Sequence, residues 1–81
     1  MWERRRYPRH EVLALGKVIF NHPLSVLNCM VRDISEGGAC LELPRGAPTP
    51  DSFELVIQPS SKRRPCNVVW RSEKTIGIAF K

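Results

Sequence analysis

Seven prolines set the first limit on what this chain can fold into. Pro8, Pro23, Pro44, Pro48, Pro50, Pro59 and Pro65 are spread along 81 residues. Proline lacks the amide hydrogen that a helix interior needs, and its ring clashes with the preceding turn. The windows between the prolines are short, and within them apolar residues often recur at every second position, as in a strand with one covered face. Phe53, Leu55 and Ile57 share a face opposite Glu54 and Gln58, and Cys66, Val68 and Trp70 alternate with Asn67, Val69 and Arg71. Ile76, Ile78 and Phe80 alternate with Gly77, Ala79 and Lys81, and Ala39, Leu41 and Leu43 with Cys40 and Glu42. Two longer runs, 12–21 and 25–34, flank His22-Pro23-Leu24, which reads as a hairpin turn. Gly16 and the β-branched Val18 and Ile19 weigh against a helix in the first run.

Six strands are therefore expected, at 12–21, 25–34, 39–43, 53–58, 65–71 and 75–80. Short turns between consecutive strands imply antiparallel pairing, and so many strands in so short a chain bury their edges best by closing into a barrel. The expectation is an all-β, six-stranded antiparallel barrel over residues 11–81, preceded by a polar arm over residues 1–10. Trp70 shares a strand face with Val68, which predicts a core position, with a wall beside a ligand as the other role open to it.

A chain of this size buries only about 60–65% of its unfolded surface, so its core is thin and a catalytic cavity would compete with it for side chains. Hydrophobic residues at 42% and charged residues at 26% exclude disorder by composition. No apolar run approaches the roughly 20 residues that span a bilayer, and no apolar stretch of the signal-peptide kind follows the first arginines. Cys29, Cys40 and Cys66 are odd in number and form no Cys-x-x-Cys pair. This speaks against a disulfide framework or a zinc site, and fits three small core residues in a reducing cytoplasm.

Candidates for catalysis are few. His10 and His22 have no metal-ligand neighbour at a useful spacing, and Ser35 has no evident base. Neither an enzyme nor a cofactor is expected. Charge says more. Thirteen Lys and Arg against eight Asp and Glu give a net charge of +5, which favours anionic partners. Four arginines fall within 4–9 and a second basic run is Lys62-Arg63-Arg64. Taken alone, either run could be a solvated surface.

Two local patterns carry chemistry. In Glu3-Arg4-Arg5-Arg6-Tyr7-Pro8-Arg9, Pro8 disfavours helix at Tyr7. An extended chain projects Arg5 and Arg9 to the same side, about 13 Å apart. The guanidinium fork suits phosphate and the O6 and N7 acceptors of guanine. In Asp33-Ile34-Ser35-Glu36-Gly37-Gly38, Asp and Ser can bond nearby backbone while glycines supply positive φ, as in a tight turn. The same turn could hold a ligand. Asp33 can accept from the paired N–H groups of a guanine edge, Ser35 can donate, and the glycines let a ligand approach the backbone.

Together, Arg-x-x-x-Arg at Arg5 and Arg9 and Asp-x-Ser-x-x-Gly at Asp33, Ser35 and Gly38 resemble the PilZ domain, a family that binds the bacterial second messenger cyclic di-GMP. The lead-in Arg6-Tyr7-Pro8-Arg9 is similar to the family's opening, Val68-Val69-Trp70-Arg71 to its fifth strand, and Ile76-Gly77-Ile78-Ala79-Phe80 to its closing strand. The resemblance implies a six-stranded antiparallel barrel. It implies that Arg5 and Arg9 grip phosphate and guanine, that Asp33 and Ser35 read a guanine edge, and that Gly38 keeps the surface open. Many members carry a helix after the last strand; this sequence stops at Lys81, so either the barrel stands alone or the helix lies outside this sequence. In the family, the residue at the position of Arg4 is thought to influence whether one ligand binds or two stacked ones, and a cation there leads us to expect two cyclic di-GMP molecules per chain. The implied protein is a cytoplasmic, non-catalytic cyclic di-GMP receptor whose arm closes over the ligand and alters a surface read by an effector protein, with no membrane or nucleic-acid partner. Two alternatives stand beside it: a general nucleic-acid-binding barrel using the basic runs, and a PilZ-like domain that binds only protein.

Overall fold

The computed structural model describes residues 10–20 and 25–81. Six strands run in the order β1 (His10–Phe20), β2 (Ser25–Ile34), β3 (Gly38–Glu42), β4 (Ser52–Ile57), β5 (Arg64–Arg71) and β6 (Thr75–Phe80). No helix occurs among the described residues. The turn expected at His22-Pro23-Leu24 lies outside them.

All pairings are antiparallel and the ring is closed, in the order β1-β2-β3-β6-β5-β4. Four of the sequence-consecutive pairs, β1–β2, β2–β3, β4–β5 and β5–β6, are neighbours as expected. The exception is β3–β4. The proline-rich segment between them leaves the sheet, and β3 pairs instead with β6. This segment turns at Pro44–Ala47, where the Ala47 amide donates to the Pro44 carbonyl at 3.0 Å. Gly46 takes φ +75° there, the left-handed conformation that a side chain disfavours. Arg71 then holds the segment to β5. Its Nη1 donates to Thr49 Oγ1 at 2.8 Å, and its Nη2 to the Thr49 carbonyl and to Asp51 Oδ1, each at 3.0 Å.

The interior follows the alternation. Val18, Val31, Leu41, Leu55, Cys66 and Ile78 are the largest fully enclosed side chains, joined by Leu43, Phe53 and Ile76. Cys29 and Cys66 are core residues as expected. Burial away from water penalises a thiolate, so the Cys29 thiol is pushed up to about 11 and the Cys66 thiol to about 12. Cys40 departs from the expectation. It alternates with the buried Ala39 and Leu41, lies half-buried, and therefore belongs to the outer surface.

Candidate ligand-binding row on the outer barrel face

Three register shifts interrupt the ladders, and two of them decide where the candidate site residues point. Between β2 and β3, Val31 pairs with Leu41 and Asp33 with Cys40, which leaves Arg32 as an extra residue. Between β5 and β6, Val68 pairs with Ile78 and Trp70 with Gly77, which leaves Val69 as an extra residue. A single inserted residue reverses the inward–outward alternation beyond it. Strict alternation would put Asp33 on the face of Val31 and Trp70 on the face of Val68, both inward. The bulges move both to the outer face.

The consequence is a single lateral row across four strands: Asp33 opposite Cys40, Cys40 opposite Gly77, Gly77 opposite Trp70. Adjacent strands lie about 4.8 Å apart, so Asp33 and Trp70 are about 14 Å apart along the sheet. Trp70 is half-buried and is not part of the core cluster, which corrects the expectation of a core position. Gly77 has no side chain to stand beside the indole. The row thus has an acidic end and an aromatic end, with small residues between them.

The other half of the turn sits at the acidic end. The Ser35 amide donates to the Gly38 carbonyl at 2.8 Å, and the Ser35 hydroxyl reaches the same oxygen at 3.4 Å. Ser35 is the one buried polar residue among those described. Its hydroxyl therefore serves the turn first, while its two lone pairs keep acceptor capacity. Gly38 is buried, and its side is occupied: a Cβ there would collide with the carbonyl oxygen of Ile78 on β6. Close packing of β3 on β6 is a sufficient reason for this glycine, and the left-handed glycine expected at this turn is found instead at Gly46. One further bond ties the turn to the barrel, from the Phe80 amide to the Gly37 carbonyl at 2.9 Å.

Arg4, Arg5 and Arg9 lie outside the described residues. The described chain begins at His10, next in sequence to Arg9, and His10 pairs with Ile34. Ile34 is the residue between Asp33 and Ser35. Cys40 and Gly77 were not singled out from the sequence as parts of this surface. Alternation alone put Cys40 on the polar face, but the β3–β6 pairing that gives it Gly77 as a neighbour has no local signal. Among the described residues, no group of three or more His, Cys, Asp and Glu side chains could hold a metal ion.

A small closed β-barrel with an acidic–aromatic row on its outer face, and with no helix among the described residues, defines the class. The chain belongs to the PilZ domain family, whose model matches residues 3–81. Among solved structures it is similar to the Bacillus subtilis inhibitor of motility MotI/DgrA, with a TM-score of 0.71 and 20% identity over 96% of this chain and 43% of that one. It is also similar to the PilZ domain of Escherichia coli YcgR, solved with c-di-GMP, with a TM-score of 0.76 and 16% identity over 95% of this chain and 77% of that one. The chain thus spans under half the length of MotI/DgrA. At these identities the likeness establishes the shared barrel. No curated protein sequence matches the chain.

Proposed function

We propose that this domain is a non-catalytic receptor for cyclic di-GMP, which it holds on the outer barrel face between Asp33 and the arginines that precede β1 in the sequence. The observation that carries this reading is the pairing of His10 with Ile34. It sets the β1 residue that follows Arg9 opposite the residue flanked by Asp33 and Ser35, so two patterns far apart in sequence converge on one backbone pair. In this reading Arg5 and Arg9 take phosphate and guanine, Asp33 accepts from the guanine Watson–Crick edge, and Ser35 adds a polar contact from the turn. Gly38 lets strand β3 sit low beside the ligand. Trp70 forms a wall at the far end of the row. Arg4 favours a second, stacked ligand by offsetting its charge. Residues 1–10 act as an arm on the barrel of residues 11–81, and closing it over the ligand alters a surface that an effector protein reads. Three cysteines that form no disulfide suit a reducing, cytoplasmic setting.

Calorimetric titration of the full chain with cyclic di-GMP tests the reading, with GTP and single-stranded DNA as controls. Saturable binding of cyclic di-GMP alone supports it. Equal or tighter binding of single-stranded DNA would favour the nucleic-acid alternative. Among the described residues, Phe53 is buried and Arg64 covers the Phe80 ring at 3.6 Å, so neither ring is offered for base stacking.

A further inference from the structure

The second basic run has no role in the site described so far, yet the fold brings it close. Lys62, Arg63 and Arg64 lie where β4 ends and β5 begins, and β2, β3 and β6 have their Ile34, Gly38 and Phe80 ends at the same end of the barrel. Two contacts link the run to the Ser35–Gly38 turn. The Arg64 guanidinium stands 3.6 Å over the Phe80 ring, and the Phe80 amide bonds to the Gly37 carbonyl. Arg64 is thus two strand steps from the turn, on the order of 10 Å.

Charge pairing separates the members of the run. Arg63 meets Glu54 at 3.4 Å, with both side chains about half exposed. Lys62 and Arg64 have no carboxylate partner among the described residues. Elsewhere the pairs Arg32–Glu42, Arg45–Glu73 and Arg71–Asp51 leave those cations largely compensated. The uncompensated charge of this run therefore lies at the same barrel end as the turn, at a separation comparable to the Debye length of about 8 Å at physiological salt.

We infer that the β4–β5 turn is an electrostatic guide: Lys62 and Arg64 speed capture of an anionic dinucleotide at the Asp33–Ser35 end without touching it once bound. This rests on the cyclic di-GMP reading above. A field of this kind acts on encounter, so it raises the association rate and leaves dissociation alone. Glu54 gives the inference a second sign. Removing its charge releases Arg63 and should speed capture, whereas reversing Lys62 should slow it.

The test is rapid-mixing kinetics of the full chain with a fluorescently labelled cyclic di-GMP, from about 20 mM to about 300 mM salt. At the low end, Lys62→Glu should associate about threefold more slowly than wild type, and Glu54→Gln measurably faster. The differences should vanish at the high end, and dissociation rates should stay within about twofold throughout. Equal association rates for wild type and both variants at low salt would overturn the inference and leave the receptor reading intact. A faster dissociation of Lys62→Glu would overturn it too, because Lys62 would then be a contact. Wild type that fails to bind the ligand at all would overturn the receptor reading beneath it.

Discussion

Gly38 on β3 and Ile78 on β6 approach so closely that a Cβ on Gly38 would clash with the Ile78 carbonyl oxygen. Neither partner can retreat without breaking the ladder that pairs Gly38 with Ala79 and Ala39 with Ile78. Gly38→Ala should therefore cost stability, about 1–3 kcal/mol by the usual scale of overpacking. Urea denaturation measures it, and a midpoint equal to wild type would refute the packing argument. Weak ligand binding by this variant says nothing of contact unless its fold is first shown to be intact.

Asp33 gives the cleaner dissection of the binding surface. It sits on the outer face with one carboxylate oxygen buried, so the denaturation midpoint of Asp33→Asn is measured beside its affinity. The variant should bind cyclic di-GMP about 10- to 100-fold more weakly, the loss of one charged hydrogen-bond acceptor. General attraction to polyanions such as heparin should rise slightly, since a negative charge is gone. Tighter binding of cyclic di-GMP by the variant would remove Asp33 from guanine recognition.

The arginine pair is expected to matter more than any single residue of the turn. Arg5→Ala and Arg9→Ala should each weaken binding about 30- to 150-fold, equivalent to about 2–3 kcal/mol for a charge-assisted bidentate contact. Calorimetry on both variants decides, and unchanged affinity in both would dissolve the proposed site. The same titration reads stoichiometry: two equivalents in wild type falling towards one in Arg4→Leu would support the role of Arg4, and one equivalent in both would remove it.

Trp70 can report directly on the row. The chain has two tryptophans, Trp2 and Trp70, so a Trp2→Phe background leaves Trp70 as the only indole. Its emission should change on adding cyclic di-GMP if the ligand reaches the aromatic end. Saturable binding by calorimetry with no change in emission would confine the ligand to the Asp33 end.

The two raised thiols predict how stability varies with pH. In the folded chain Cys29 and Cys66 hold their protons up to about 11 and about 12, against an ordinary value of 9.0. Above that ordinary value the unfolded chain sheds these protons while the folded chain keeps them. Folding stability should be constant with respect to these groups below pH 9 and fall as pH rises from there towards 11–12, by up to about 1.4 kcal/mol per pH unit for each thiol. Denaturation between pH 8 and pH 10.5 checks the sign, and comparison with Cys29→Ala isolates one group. In alkylation at pH 8, Cys40 should react first, being the one thiol that is only half-buried.

The strands were legible because prolines and alternation mark them independently. The expected 25–34 and 75–80 match β2 and β6, and the remaining four strands differ from expectation by one or two residues at their ends. The closed ring follows from the count and shortness of the strands. What alternation misses is the bulge. Nothing in Val31-Arg32-Asp33 or Val68-Val69-Trp70 announces that the middle residue will be left out of the ladder, yet that omission decides whether Asp33 and Trp70 face core or surface. The β3–β6 pairing was hidden for a similar reason, since it joins segments far apart in the chain. The chemistry of the Asp33–Gly38 turn was readable from residue types, whereas the packing role of Gly38 needed the position of Ile78.

The short β1–β4 ladder, from Gly16 opposite Ile57 to Ile19 opposite Glu54, is what shuts the ring. With it in place every described strand has a neighbour on both sides over at least part of its length, which leaves less strand edge than an open sheet would. Inserting a strand from another chain at the β1–β4 seam would require breaking that ladder, so strand exchange and sheet growth there are disfavoured while it holds. In the receptor reading, an effector would then meet side chains on the barrel wall or at its two ends. Specificity for such a partner would then be altered by surface substitutions that leave the fold untouched.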